Sequence, residues 1–136
     1  MPWVVDTSVA LDLVTGDARF EPASTLCLQN HLTDGLVVCP ISFIELGPAF
    51  AGDHVATVAF LDGAGIATGE PWTSHDTALA HRLWSEFQTR RRQAVLAKRP
   101  VADVLIAAFA ARFQGIITRN APDFRNILPT VRLIEP

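Results

Sequence analysis

Cysteine is scarce in this chain of 136 residues, and long apolar runs are absent. Cys27 and Cys39 form no C-x-x-C pair, so we expect buried reduced thiols rather than a disulfide or a zinc site. No apolar run reaches the roughly 18 residues that are needed to span a bilayer. The amino-terminal residues lack the basic segment of a secretory signal, and we expect a cytoplasmic protein without membrane contact.

Several common catalytic signatures are also missing. The four histidines show no H-E-x-x-H spacing, and the chain has neither a P-loop nor a G-x-G-x-x-G segment. Charged residues make up only 18% of the chain and hydrophobic residues 49%, which excludes a disordered protein and indicates a buried core. The length predicts a single domain over residues 1–136.

Short β-type runs alternate with longer helical patterns along the chain. This alternation predicts an α/β fold, with a parallel sheet of four to five strands flanked by helices on both faces. The predicted strands are 3–5, 36–39, a weak strand at 65–68, 116–118 and 131–134. The predicted helices are 8–14, 21–31, one capped by Ser42, one capped by Asp53 that runs to about Leu61, 77–97, and 101–113 with Gly115 terminating it. Residues 120–123 are predicted to form a loop.

Four carboxylates lie within or close to the ends of apolar segments of the chain. Asp6 ends the first predicted strand, Glu45 lies inside an apolar stretch, and Asp103 opens an apolar helix. Asp123 follows the fourth predicted strand. A carboxylate in apolar surroundings is costly unless it is paired, hydrogen-bonded or bound to a cation. The four together suggest one shared divalent cation, and Mg²⁺ or Mn²⁺ would suit oxygen ligands.

Each carboxylate also fits a purely structural role. Asp6 could cap the helix that follows it, and Glu45 stands three residues after Ser42, which is the spacing of a capping box. Asp103 could stabilise a helix amino terminus through the helix dipole. Asp123 could be a turn residue. The placement of Asp6 and of residues 118–123 beyond strand carboxyl ends favours a shared site, because parallel sheets carry their functional crevice there.

Positive charge is concentrated in one segment of an otherwise acidic chain. Residues 82–99 contain six basic residues and one acidic residue, whereas the whole chain has a net charge of −3. Such a stripe fits either a surface for a polyanion or an ordinary solvated helix face. The residues that would contact a phosphate backbone are Arg90, Arg91, Arg92, Lys98 and Arg99.

The carboxylate-bearing segments match one protein family in order along the chain. The segments are 4–8 (VVDTS), 42–46 (SFIEL), 102–108 (ADVLIAA) and 117–124 (ITRNAPDF). Together they resemble the PIN-domain ribonucleases, in particular the VapC and FitB toxins of bacterial toxin–antitoxin modules. The resemblance covers nearly the whole chain and implies a PIN-like α/β/α sandwich.

The resemblance implies a role for each carboxylate. Asp6, Glu45 and Asp103 resemble the first three metal-binding acids of the family. Many members have a fourth acid where this chain has Asn120, so either Asp123 or Asn120 could fill that position, and we favour Asp123. The residues that would support the carboxylates are Thr7, Ser8, Thr118 and Asn120.

The resemblance further implies a Mg²⁺-dependent endoribonuclease that cuts RNA to leave a 5′-phosphate. Family toxins are usually dimers, and a small antitoxin protein holds them inactive. A PIN-like module that binds RNA or a protein without catalysis is the alternative. A phosphatase with an aspartyl nucleophile is disfavoured, because Ser8 stands where a D-x-D pattern needs its second aspartate.

Overall fold

Strands and helices alternate along the chain in the computed structural model, which describes residues 1–93 and 101–136. The strands are β1 (Trp3–Val5), β2 (Leu36–Val37), β3 (Ile66–Ala67), β4 (Gly115–Ile117) and β5 (Leu133–Ile134). The helices are α1 (Thr7–Thr15), α2 (Glu21–Asn30), α3 (Pro40–Glu45), α4 (His54–Gly63), α5 (Ser74–Gln93), α6 (Val101–Ala110) and α7 (Ala121–Ile127), with a 3-10 turn at Gly47–Phe50. Within the described ranges, no helix combines the length and the apolar character needed to cross a membrane.

The five strands form one parallel sheet in the order β3-β2-β1-β4-β5. This architecture confirms the predicted α/β fold. β1 is central, and its residue Val5 pairs with Ile117 of β4. The residues that follow these two strands, Asp6 and Thr118, therefore emerge side by side. We call this side of the sheet, where the strands reach their carboxyl ends, the carboxyl edge.

Alternating side chains of β1 pack into two separate hydrophobic cores, one on each face of the sheet. Val4 belongs to the core that α5, α6 and α7 cover, together with Phe109 and Phe124. Trp3 and Val5 belong to the opposite core, which α1, α2 and α4 cover. The alternation follows from the period of two in a strand. Burial on both faces makes β1 a rigid support for the residue at its carboxyl end, because each large apolar side chain contributes about 1.5–3 kcal/mol.

The sequence prediction for α3 is wrong. Ser42 was expected to cap the helix, but α3 begins at Pro40, and proline suits a first helical turn. Ser42 lies inside the helix, and its Oγ is buried with no hydrogen-bond partner in the part of the chain that the structure describes. Glu45 is the last residue of α3, so the capping-box alternative for its carboxylate is excluded.

Two boundaries near the carboxyl terminus also differ from the prediction. Residues 120–123 are not a loop, because α7 begins at Ala121 and buries Phe124 and Ile127 on one face. α6 ends at Ala110 rather than at residue 113, and Gly115 opens β4 instead of terminating a helix. The predicted end of α5 at residue 97 lies outside the described residues.

Both cysteines are buried and unpaired, as predicted. Burial raises the pKa of the Cys39 thiol to about 11, and burial also raises the pKa of Cys27. The folded state therefore keeps the Cys39 proton at pH values where an unfolded chain has lost it. The chain has no tyrosine, and Lys98 is its only lysine, so few other groups titrate between pH 9 and 11.

We expect the protein to lose stability as the pH rises from 8 to 10. In the unfolded chain the Cys39 thiol ionises through its usual pKa near 9, whereas in the folded protein it stays neutral. The free energy of unfolding therefore falls by about 1 kcal/mol between pH 8 and pH 10. Urea unfolding at both pH values measures the loss. The variant Cys39→Ala should show a clearly smaller pH-dependent loss, and an identical loss in both proteins would contradict this explanation.

Candidate functional site

The candidate site lies at the carboxyl edge between β1 and β4. Asp6 directly follows β1, and its backbone N–H donates to the Ile117 carbonyl at 3.0 Å. The Asp6 residue is only 3% exposed although it carries a carboxylate. The carboxylate therefore sits where the sequence placed it, at the end of the central strand.

Two hydroxyls hold the Asp6 carboxylate. Ser8 Oγ and Thr118 Oγ1 both donate to Asp6 Oδ2, each at 2.8 Å. The side chain does not cap α1; the Asp6 main-chain carbonyl instead accepts from the N–H groups of Val9 and Ala10. The capping alternative for the carboxylate is thus wrong. Because both hydroxyls use the same oxygen, neither of them occupies Oδ1.

A hydrogen bond from Thr7, the residue that follows Asp6, holds Glu45 near Asp6. Thr7 Oγ1 donates to Glu45 Oε1 at 2.7 Å. Thr7 opens α1, and Glu45 closes α3, so this bond joins the start of one helix to the end of another. We call Asp6, Thr7, Ser8, Glu45 and Thr118 the Asp6 cluster. Glu45 is exposed whereas Asp6 is buried, so the cluster reaches from the sheet to the surface.

The other two predicted carboxylates begin helices at the carboxyl edge. Asp103 is half-buried in the first turn of α6. Since α6 runs back along the sheet to the start of β4, its amino terminus lies at the carboxyl edge, where its dipole also favours an acid. Asp123 is exposed in the first turn of α7, directly after β4. The backbone N–H of Asn120 donates to Thr118 Oγ1 at 2.9 Å.

The donors at this edge suit a hard cation in their chemistry. Carboxylate and hydroxyl oxygens are the ligand types that Mg²⁺ and Mn²⁺ prefer. Over residues 1–93 and 101–136, however, no group of three or more Asp, Glu, His or Cys side chains is arranged so that it could hold a metal ion. The structure joins Asp6 and Glu45 through Thr7, and the shared four-carboxylate site stays a prediction.

Comparison with known proteins supports the fold. Neither a family model nor a curated protein matches this chain. Among solved structures, it is similar to a chain in the crystal structure of VapBC2 from Rickettsia felis bound to a DNA fragment from their promoter. The identity is 18% and the TM-score 0.62, with 99% of this chain and 98% of the other covered. At this identity the similarity shows the fold alone, and it confirms the predicted α/β architecture.

The sequence prediction missed an ion pair beside the Asp6 cluster, between the buried Asp12 and the partly exposed Arg119. Arg119 donates to both carboxylate oxygens of Asp12, through Nε and Nη2, at 2.8 Å each. Ser24 Oγ also donates to Asp12 at 2.7 Å, and the Arg119 guanidinium lies 3.9 Å from the centre of the Phe20 ring. One signal was available, since Asp12 interrupts the apolar helix α1, and a buried acid requires a partner.

The predicted basic surface is described only in part. Arg90 lies near the end of α5 and donates through Nη2 to the Asn126 carbonyl of α7 at 2.6 Å. Arg91 and Arg92 belong to the last turn of α5. Lys98 and Arg99 lie outside the described residues. Because Asp76 at the start of α5 pairs with Arg112 after the end of α6, the two helices are antiparallel, and the basic end of α5 points toward the same side of the sheet as the amino terminus of α6.

Proposed function

We propose that this protein is a Mg²⁺-dependent endoribonuclease, the toxin of a type II toxin–antitoxin system. The observation that carries the proposal is the buried Asp6 carboxylate at the carboxyl edge. Two hydroxyls hold one of its oxygens, and Thr7 links it to Glu45. A buried acid that is aligned by neutral hydroxyl donors, rather than by a cationic side chain, fits a metal ligand. The fold similarity to VapBC2 supports the same interpretation.

In this proposal Asp6, Glu45 and Asp103 hold Mg²⁺ or Mn²⁺. Asp123 is the fourth ligand, with Asn120 as the alternative at that position. A bound cation would supply a water of lowered pKa and would neutralise charge on the phosphate. Ser8 and Thr118 orient Asp6 by donating to Oδ2. No histidine is required as a base.

The basic end of α5 would bind the RNA backbone. Arg90, Arg91 and Arg92 lie in the last turns of α5, which packs against α6, the helix that carries Asp103. Contacts of this kind are electrostatic and weaken as salt is raised. We assign Lys98 and Arg99 to the same RNA-binding surface because they follow these arginines in the basic segment of the sequence.

The proposal includes partners as well as a substrate. The similar structure from Rickettsia felis contains VapBC2 bound to promoter DNA, and that assembly belongs to the Rickettsia protein. For this chain we propose a small antitoxin protein that blocks the site, a homodimer, and a cytoplasmic location. The proposed interfaces are the exposed apolar residues of segments 26–28 and 43–50, Leu26 at 58% and Ile44 at 69% exposed, because Cys27, Leu28 and Leu46 of the same segments lie in the core.

Metal dependence tests the proposed activity. We expect the purified protein to cleave RNA with Mg²⁺ or Mn²⁺, to stop when EDTA is added, and to resume when excess Mg²⁺ is restored, because the carboxylates alone supply no activated water. Gel analysis of a mixed RNA substrate measures cleavage, and 5′-end analysis tests for a 5′-phosphate. Cleavage at an unchanged rate in EDTA would contradict the metal mechanism.

A PIN-like binding module remains the second candidate. It is favoured by Asn120 at the position where many PIN domains have an acid, and by the lack of a metal-holding group among the described side chains. Calorimetry with Mn²⁺ separates the two functions. The nuclease should take up Mn²⁺ through its carboxylates, whereas a binding module should retain RNA without metal uptake and without cleavage.

A further inference from the structure

We infer that the Asp12–Arg119 pair positions the Asp6 cluster by fixing the segment between β4 and α7. Arg119 stands between Thr118, which donates to Asp6, and Asn120, which is the alternative to Asp123 as the fourth ligand. This inference rests on the proposed function insofar as Asp6 serves as a metal ligand. It concerns Arg119 as a positioning residue, acting through its neighbours rather than on the RNA.

The pair is built as a rigid connection between elements that are far apart in sequence. The two residues are separated by 107 positions. The planar guanidinium meets both oxygens of Asp12, and such a two-point contact restricts orientation as well as distance. Ser24 of α2 donates to Asp12 Oδ2, so the anchor spans α1, α2 and the β4–α7 segment.

A continuous set of hydrogen bonds leads from this anchor to Asp6. The Arg119 backbone N–H approaches Ser8 Oγ at 3.4 Å, and Ser8 Oγ donates to Asp6 Oδ2. Ser8 and Asp12 are four residues apart on α1 and therefore lie on the same helix face. Arg119 thus holds its segment against the helix face that carries Ser8, and this contact keeps Thr118 within reach of Asp6.

The guanidinium is poorly suited to bind a phosphate itself. Its Nε and one Nη are engaged by Asp12, and one ring face of Phe20 covers it at 3.9 Å. The side chain is only 30% exposed, and Asp12 neutralises its charge. Loss of the pair should therefore disturb the catalytic arrangement and metal binding more than the affinity for RNA.

The chain contains a matched control for this pair. Arg112 contacts both carboxylate oxygens of Asp76, at 3.2 and 3.3 Å, and lies 4.7 Å from the ring centre of Phe109 and 4.6 Å from that of Phe113. The Arg112 side chain is 29% exposed and the Asp76 side chain 1%. The corresponding values are 30% for Arg119 and 3% for Asp12. Arg112 follows the carboxyl end of α6, whereas the predicted ligand Asp103 lies in its first turn.

The test compares Arg119→Lys with Arg112→Lys in the full chain. Lysine keeps the charge but loses the two-point contact. Both variants should lower the urea midpoint, Arg112→Lys by at least as much, because Arg112 also donates to the Pro71 carbonyl and pairs with Glu70. Only Arg119→Lys should weaken Mn²⁺ binding in calorimetry and lower kcat for RNA cleavage, by about 10- to 100-fold, the size seen when residues that orient metal ligands are removed. Its KM for RNA should stay within about twofold, since the phosphate contacts are elsewhere.

Hydrogen exchange without metal gives a readout that does not depend on catalysis. The Asn120 amide, which donates to Thr118 Oγ1, should exchange faster in Arg119→Lys than in Arg112→Lys. If Arg119→Lys fails to fold, Asp12→Asn replaces it, because the amide keeps the shape and one acceptor.

The outcomes separate this inference from the proposed function. If the Arg119→Lys protein folds and has the parental Mn²⁺ affinity, kcat and Asn120 exchange rate, the inference is wrong. The nuclease proposal would still stand. A parent protein that neither binds Mn²⁺ nor cuts RNA would overturn the nuclease proposal. In that case the exchange of the Asn120 amide alone decides whether Arg119 positions the segment.

Discussion

Asp6→Asn is expected to lower RNA cleavage by roughly 100- to 1,000-fold, the effect of losing one preorganised electrostatic contact in an active site. The asparagine side chain has the same shape, and its carbonyl oxygen can still accept from Ser8 or Thr118. It lacks the negative charge that a hard cation requires from a buried ligand. The loss should therefore appear in kcat and in Mn²⁺ affinity rather than in the fold.

The measurement combines a cleavage assay, Mn²⁺ calorimetry and thermal unfolding. We expect the midpoint of unfolding to stay at or above the parental value, because a buried charge is removed. Asp62→Asn is the matched control, since Asp62 is an exposed aspartate on α4 whose carboxylate is not part of the Asp6 cluster. Asp103→Asn should behave like Asp6→Asn. Parental cleavage by both Asp6→Asn and Asp103→Asn would sink the metal-site assignment.

Local sequence signals were sufficient for the elements that place Asp6. The apolar run before Asp6 forms β1 at its predicted bounds, and Gly16, with φ of 61°, ends α1 where glycine tolerates the left-handed conformation. Asp53 caps α4 through a bond from Ala56 N, as expected. These features depend on neighbouring residues, so a single sequence reveals them. The position of Asp6 at the carboxyl edge followed from the same reasoning.

Helix starts near proline were harder to place because two signals competed. Ser42 is a good cap by type, yet Pro40 had already set the backbone for a first turn, and Ser42 became buried. In α7, Pro122 again marks the first turn, but the helix has only seven residues and a weak apolar pattern. Phe124 packs against the core, and this tertiary contact stabilises the helix. Such a contact cannot be inferred from the local sequence.

The contacts that complete the site are long-range and could not be read from spacing. Thr118 and Asp6 are 112 residues apart, and Thr7 and Glu45 are 38 apart. The resemblance to PIN domains suggested Thr118 and Thr7 as supporting residues, and the structure shows the carboxylate that each one contacts. Arg119 and Asp12 belonged to no predicted motif, so only the fold revealed their pairing.

Gly115→Ala is expected to destabilise the protein by about 3 kcal/mol or more, at the upper end of the cost of overpacking. Gly115 opens β4 between β1 and β5. An added Cβ would meet the Arg132 backbone carbonyl and would lie 2.6 Å from the Trp3 ring. Backbone on one side and a buried indole on the other leave no flexible group that can move away. The glycine is therefore required by close approach rather than by its backbone dihedral angles.

Urea unfolding of Gly115→Ala and Gly63→Ala tests this argument with a matched control. A Cβ at Gly63, the last residue of α4, meets nothing within 4 Å, so alanine there should be neutral or stabilising by up to about 1 kcal/mol. Equal stability of the two variants would contradict the close packing at β4. Because Thr118 follows β4 and donates to Asp6, the strand displacement in Gly115→Ala should also reduce RNA cleavage under conditions where the protein remains folded.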